Sequence, residues 1–176
     1  MNVTERINNW KIYPSIRGQF GFDLYKQMAL NANIFLVIAD LGYALFDAHR
    51  EDFPDRCINT GAAESSAMGI ATGLALVGRT PCVYTITSFY LRAAEAIGLY
   101  LHGEQIPVKL IGSGMDDDYK HDGPSHHGGL AQAFLDNGPR GTLNIENYYP
   151  STREEVPIMI DKLIKSDKPG FLCLKR

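Results

Sequence analysis

The chain has 176 residues and a net charge of −3 at pH 7, with 45% hydrophobic and 21% charged side chains. This is ordinary globular composition, and the length fits one domain that buries roughly 70% of the surface of its unfolded chain. The charge offers no basic field to a nucleic acid, and no apolar run reaches the roughly 18 residues of a membrane span. We therefore expect one domain over residues 1–176 that binds neither nucleic acid nor a membrane.

The cysteines and the N-terminal lead, residues 1–14, predict a cytoplasmic protein. Cys57, Cys82 and Cys173 are odd in number and widely spaced, each in or beside an apolar run. This pattern favours buried thiols in a reducing compartment over a disulfide framework. The lead is polar and lacks the basic start and apolar core of a signal peptide.

From residue 16 onward, helical patterns alternate with short apolar runs typical of strands covered on both faces. Predicted helices cover residues 16–31, 61–78, 91–102, 130–136 and 151–166, and predicted strands cover residues 34–39, 57–59, 81–86, 106–112, 142–147 and 170–174. Ser151 is the candidate N-cap of the last helix. The alternation predicts an α/β fold, a single open parallel sheet with helices on both faces.

Four stretches with reactive side chains directly follow predicted strands. Ligands of open parallel sheets bind beyond the carboxyl ends of the strands, so these stretches mark a candidate site. They are residues 40–42, 61–64, 87–92 and 113–128. Each stretch also has a structural alternative: a turn at Asp40, helix capping by Glu64, core packing by Phe89 and Tyr90, and a solvated loop at residues 116–118.

Glu64 is a lone carboxylate in the first turn of a helix rich in glycine and alanine. Glycine in a helix interior costs roughly 1 kcal/mol relative to alanine, so two of them indicate close packing that outweighs helix propensity. A partner chain is one candidate for that packing. The alternative is that Glu64 only interacts favourably with the helix macrodipole.

The histidine-rich loop, residues 113–128, is too long to be a simple connection in a compact domain. Adjacent His126 and His127 rarely both reach one ion, and the chain has no HExxH or CxxC spacing, so we expect no metal on this chain. Gly-Pro fixes a tight turn between Asp122 and His126, which favours hydrogen bonding of a substrate by both side chains. An exposed histidine pair without function remains an alternative.

Two motifs carry a resemblance to a known family. The segment GAAESSAMGIATGLALVGRTPCVYTITSFYLRAAEAI, residues 61–97, resembles the pyrimidine-binding domain of transketolases and deoxyxylulose-phosphate synthases. In that domain a G-x-x-E helix is followed by a strand that ends in a Thr/Ser-Phe segment. The loop HDGPSHHG resembles the family's D-G-P-T-H loop, and both motifs occur in the family's order and spacing.

The resemblance implies thiamine diphosphate as the cofactor. The residue matching Glu64 hydrogen-bonds a ring nitrogen of the aminopyrimidine and promotes its imino tautomer, which requires a partly desolvated carboxyl group. The aromatic residue matching Phe89 stacks on the same ring. Ser88 and Asp40 are assigned to the cofactor site as well.

The same resemblance assigns the substrate side of the site. Asp122, His126 and His127 are expected to hydrogen-bond substrate hydroxyl groups or a developing alkoxide, with His126 also catalytic. Arg92 matches an arginine near the anionic end of the substrate in the synthases. In two places the chain departs from transketolases: Gly114 replaces a histidine, and His121 stands where they have an acid, so donor recognition is expected to differ.

The family's diphosphate and metal motif, GDG followed by an asparagine, does not occur in this chain, and its C-terminal domain has no counterpart. We therefore expect one subunit of a split enzyme, paired with a diphosphate-binding subunit through which Mg²⁺ or Ca²⁺ is bound. The helix at residues 61–78 is expected in the interface, with a heterotetramer as the assembly.

The predicted function is transfer of a two-carbon ketol unit between sugar (phosphate) substrates. One alternative is an acyloin-forming synthase or decarboxylase subunit that uses an oxo acid donor in specialised sugar metabolism. A non-catalytic scaffold subunit and, more distantly, a metal-dependent hydrolase using the histidine loop are the others.

Overall fold

A computed structural model describes residues 2–137 and 143–176. Its central feature is a six-stranded, all-parallel open sheet with the strand order β2-β1-β3-β4-β6-β5. The strands are β1 Ile34–Ile38, β2 Cys57–Asn59, β3 Thr80–Ile86, β4 Lys109–Ser113, β5 Glu146–Tyr148 and β6 Gly170–Leu174. The predicted fold class is confirmed.

The helices cover both faces of this sheet. They are α1 Val3–Asn9, α2 Ile16–Leu30, α3 Asp47–Asp52, α4 Glu64–Leu76, α5 Ala94–Ala96, α6 Gly129–Asn137 and α7 Val156–Lys165. Side chains of α1, α2, α3 and α7 join the hydrophobic cluster on one face, and those of α4, α5 and α6 join the cluster on the other. Within the described ranges, no helix is long and apolar enough to cross a membrane.

The alternation of side chains along β1 shows why helices must pack on both faces of the sheet. Leu36 and Ile38 point into the cluster under α2 and α7, whereas Val37 points into the cluster under α4. Successive residues of a strand face opposite sides, so a continuous apolar run forms a strand buried on both sides. On α2, Phe20, Leu24 and Met28 supply the matching stripe, spaced four residues apart.

Several predicted boundaries were wrong. The last helix begins at Val156, and Ser151 does not cap it, because the backbone amides of Ser151 and Thr152 instead donate to the Glu155 carboxylate at 2.7 and 3.4 Å. The single helix predicted at 91–102 is a 3₁₀ segment, Thr87–Ala93, followed by α5 and a π-helical segment, Ile97–Gly103. The strand predicted at 142–147 begins outside the described residues, and β5 starts at Glu146.

The N-terminal lead contains a helix that the sequence pattern did not indicate. Asn2 and Glu5 form a capping box at the start of α1. Arg6 then makes an ion pair with Asp52 at 2.6 Å and with Glu51 at 3.0 Å, which joins α1 to α3. At seven residues, α1 is too short for an apolar period to stand out.

His49 of α3 is fully buried inside the aromatic cluster that this lead completes. Its ring makes edge-on contacts with Trp10, Tyr25 and Phe46, at centroid distances of 6.1, 5.3 and 5.2 Å. Burial lowers the pKa of His49 from 6.5 to about 3, because the charged imidazolium is poorly solvated there. The folded chain therefore holds this histidine neutral.

We predict that His49→Met reduces the acid sensitivity of folding. Between pH 6.5 and about 3 the unfolded chain binds a proton at His49 that the folded chain does not. The free energy of unfolding therefore falls as the pH falls through this window, by roughly 4 kcal/mol over its whole width. Urea unfolding at a series of pH values measures this slope. His127→Gln, at a half-exposed histidine, serves as the control. If stability depended on pH in His49→Met as steeply as in wild type, the acid sensitivity would not arise from His49.

Candidate active site

The four stretches singled out from the sequence do lie at one edge of the sheet. Strands β2, β1, β3 and β4 are neighbours and run parallel, so the segments that follow them emerge on the same side. Asp40 follows β1 with a φ of +52°, and its backbone amide donates to the Asn59 side chain of β2 at 3.1 Å. The Asp40 carboxylate itself is exposed.

Glu64 is the first residue of α4 and is only 4% exposed. The chain reaches it through Gly61, whose φ of +69° belongs to the left-handed region that favours glycine. Arg92 donates to Oε1 of Glu64 at 2.8 Å. The arginine side chain is 52% exposed, so this ion pair joins a buried anion to a cation at the surface.

Phe89 connects this ion pair to the histidine loop. The guanidinium carbon of Arg92 lies 4.1 Å from the centre of the Phe89 ring. The His126 ring meets the same phenylalanine edge-on, with 5.0 Å between centroids and 67° between ring planes. Glu64, Arg92, Phe89 and His126 thus form one continuous series of contacts between α4 and the histidine loop.

The 3₁₀ segment after β3 holds Phe89 by burying the residues around it. The Thr87 hydroxyl donates to the Gly114 carbonyl at 2.5 Å, and the buried Tyr90 hydroxyl donates to the Val83 and Ile111 carbonyls at 2.8 and 3.0 Å. Tyr90 is therefore a core residue, in agreement with its structural alternative. The Ser88 hydroxyl is buried and has no hydrogen-bond partner within the described part of the chain.

The remaining predicted substrate residues pair within their own loop. The Asp122 carboxylate lies 3.4 Å from Nε2 of His121, and Nδ1 of His127 lies 3.8 Å from the Asp117 carboxylate. Asp122 and His127 are exposed. Of the loop residues predicted to bind substrate, Asp122, His126 and His127, only His126 is in contact with Phe89 among the described residues. Among the residues that the structure describes, no group of three or more His, Cys, Asp or Glu side chains is arranged to hold a metal ion.

A neighbouring cavity of 570 Å³ was missed by the sequence reasoning. It lies beside the carboxyl ends of β1, β3 and β4, and Trp10 and Tyr13 of the N-terminal lead form part of its wall. Arg17 donates to the Tyr119 hydroxyl at 2.7 Å within it. One sequence feature pointed to this region: Arg17 stands in the first turn of α2, where the helix macrodipole disfavours a cation, so its position calls for another explanation.

Comparison with known proteins assigns the chain to a family. The family described as transketolase, pyrimidine binding domain, matches residues 14–176. The chain belongs to this family. The resemblance inferred from residues 61–97 and from the DGPSHHG loop is therefore confirmed.

Two relatives illustrate the family's range. The chain is 34% identical over 170 residues to a 1-deoxy-D-xylulose-5-phosphate synthase from Desulfotalea psychrophila, covering 93% of this chain and 24% of the relative. It is 32% identical over 126 residues to one subunit of an apulose-4-phosphate transketolase from Actinobacillus succinogenes, covering 70% and 39%. The chain thus spans well under half the length of these relatives.

A solved structure also matches the fold. A split gene transketolase, described as an inactive beta4 tetramer, superimposes with a TM-score of 0.76 and 25% sequence identity. The match covers 93% of this chain and 52% of the other. This pyrimidine-binding domain accordingly resembles a transketolase that is divided between genes.

Proposed function

We propose that this chain is the pyrimidine-binding subunit of a two-subunit, thiamine diphosphate-dependent transketolase that transfers a two-carbon ketol unit between sugar (phosphate) substrates. The observation that carries the proposal is the buried carboxylate of Glu64 at the ligand-binding edge of the sheet, joined to the ring of Phe89 through Arg92. Family membership and the likeness to a split transketolase support it.

The residues at this edge fit an aminopyrimidine. Glu64 offers a buried carboxyl group that can share a proton with a ring nitrogen, the half-buried Phe89 offers a flat apolar surface, and Ser88 has a buried hydroxyl without a partner among the described residues. When bound, thiamine diphosphate supplies the electron sink for breaking and forming carbon–carbon bonds. The task of Glu64 is to hold a proton against the ring nitrogen, and burial strengthens that hydrogen bond.

The substrate residues act on hydroxyl groups. His126, in contact with Phe89, is placed to exchange a proton with a substrate oxygen above the cofactor site. Asp122, His127 and Arg92 remain proposed contacts to substrate hydroxyl groups and to its anionic end, and Asp40 a proposed contact at the edge of the cofactor. Binding of the diphosphate through Mg²⁺ or Ca²⁺ is assigned to the partner subunit.

A second enzymatic function has an observation in its favour. The match to a deoxyxylulose-phosphate synthase is 34% identical and covers 93% of this chain. A subunit that joins an oxo acid donor to an acceptor in an acyloin-forming reaction would use the same Glu64 and Phe89. Assays of the reconstituted enzyme with ketose phosphate or with pyruvate as the donor separate the two reactions.

We predict that Glu64→Ala lowers the turnover of the reconstituted two-subunit enzyme by about 100-fold or more, because proton transfer at the cofactor loses its partner. Steady-state kinetics measure the effect, and gel filtration checks that the variant still assembles. Glu95→Ala, which removes an exposed carboxylate from α5, is the matched control. Full turnover in Glu64→Ala would instead favour a scaffold subunit without a catalytic role.

The outer face of α4 is the proposed contact with the diphosphate-binding subunit. Ile70, Leu76 and Val77 are 39%, 70% and 71% exposed there, and a side chain added at Gly69 or Gly73 would meet nothing within 4 Å of its Cβ atom. These glycines are not required by packing among the described residues. Close approach of a second backbone explains them and offsets their cost in helix propensity. A heterotetramer built on this contact is part of the proposal.

We predict that Gly73→Leu weakens assembly with the diphosphate-binding subunit while leaving the fold intact. The chain alone should be as stable as wild type or up to about 1 kcal/mol more stable, because leucine favours a helix. Affinity for the diphosphate-binding subunit should fall about tenfold or more, because the added side chain occupies the interface. Ile158→Phe, which adds bulk at an exposed position of α7 on the opposite face, is the control. Unchanged affinity in Gly73→Leu would place the interface elsewhere.

A further inference from the structure

Arg92 makes the two contacts that the proposed cofactor ring needs. One of its guanidinium nitrogens donates to Oε1 of Glu64 at 2.8 Å, and its guanidinium carbon lies 4.1 Å from the centre of the Phe89 ring. Glu64 is the proposed hydrogen-bond partner of an aminopyrimidine ring nitrogen, and Phe89 is the proposed stacking partner of the ring. The Arg92 side chain therefore occupies both of the positions that the aminopyrimidine would contact.

The chemistry of the two groups is similar. A guanidinium is flat and delocalised, presents N–H donors at its edge and stacks on aromatic faces. An aminopyrimidine is also flat, with nitrogens at its edge. We infer that in the free subunit Arg92 takes the place of the aminopyrimidine and must leave Glu64 and Phe89 before that ring binds. The inference rests on the proposed function of Glu64.

The exposures of the two partners indicate which one moves. The Arg92 side chain is 52% exposed and can be rehydrated at little cost, whereas Glu64 is 4% exposed and would be left as a buried, unpaired anion. The Arg92 carbonyl accepts a hydrogen bond from Ser65 at 2.7 Å, which ties its backbone to α4. The exchange therefore requires a rotation of the Arg92 side chain and the uptake of one proton from solvent, which Glu64 then shares with the ring nitrogen, so that Glu64 is paired before and after it.

Binding of the ring without its diphosphate tests this exchange on the 176-residue chain. The probe is 4-amino-2-methylpyrimidine at a pH where it is uncharged, with affinity measured by NMR titration for wild type, Arg92→Met and Arg92→Lys. Arg79→Met is the matched control, because Arg79 also packs over a phenylalanine, Phe35, and lies outside the site. Glu64→Ala reports whether the probe binds at the proposed site at all.

Arg92→Met should bind the probe about fivefold more tightly than wild type or better, with Arg92→Lys between them and Arg79→Met unchanged. Added salt should tighten binding to wild type, because it weakens the half-exposed ion pair, and should not affect Arg92→Met. A purely structural role for Arg92 predicts neither effect.

Equal or weaker binding by Arg92→Met, with no effect of salt on wild type, would overturn the inference and leave the proposed function standing. Binding that Glu64→Ala does not weaken would overturn both the inference and the proposed cofactor role of Glu64, and no binding by any variant would overturn the inference.

Discussion

The structure depends on keeping one carboxylate out of water. Glu64 is 4% exposed at the start of α4, and its ion-pair partner is a side chain that reaches out to solvent. A buried anion without a partner is strongly destabilising, so the fold must supply either Arg92 or a ligand at this position. The start of α4, the 3₁₀ segment after β3 and the ring of Phe89 surround this ion pair.

The parallel sheet makes this arrangement possible at low cost. Because neighbouring strands β1 to β4 run in one direction, the segments that follow them meet at one edge, while the buried strands and Tyr90 keep that edge rigid. The exposed groups, Arg92 and the histidine loop, are confined to the surface of this edge. The strands therefore form the stable core, and the segments that follow them carry the reactive side chains.

Much of this could be predicted from the sequence, for identifiable reasons. The strands β1, β3 and β4 follow from their apolar runs, and the burial of Glu64 was implied by the family resemblance of the motif around residues 61–64. The pairing of Glu64 with Arg92 could not be predicted, because it depends on a 3₁₀ segment where the apolar period indicated a helix. The lead helix α1 was missed because it is too short to show an apolar period, and the cavity beside Arg17 was missed because its wall is formed by residues far apart in the chain.

The central claim is that the cofactor site is completed by two different chains. Calorimetric titration of thiamine diphosphate with Mg²⁺ into this chain, into a diphosphate-binding subunit and into their equimolar mixture tests it most directly. The account predicts tight, saturable binding in the mixture, with one cofactor per pair of chains, and no comparable binding to either chain alone. Binding by the diphosphate-binding subunit alone, with the same affinity and stoichiometry as in the mixture, would contradict it.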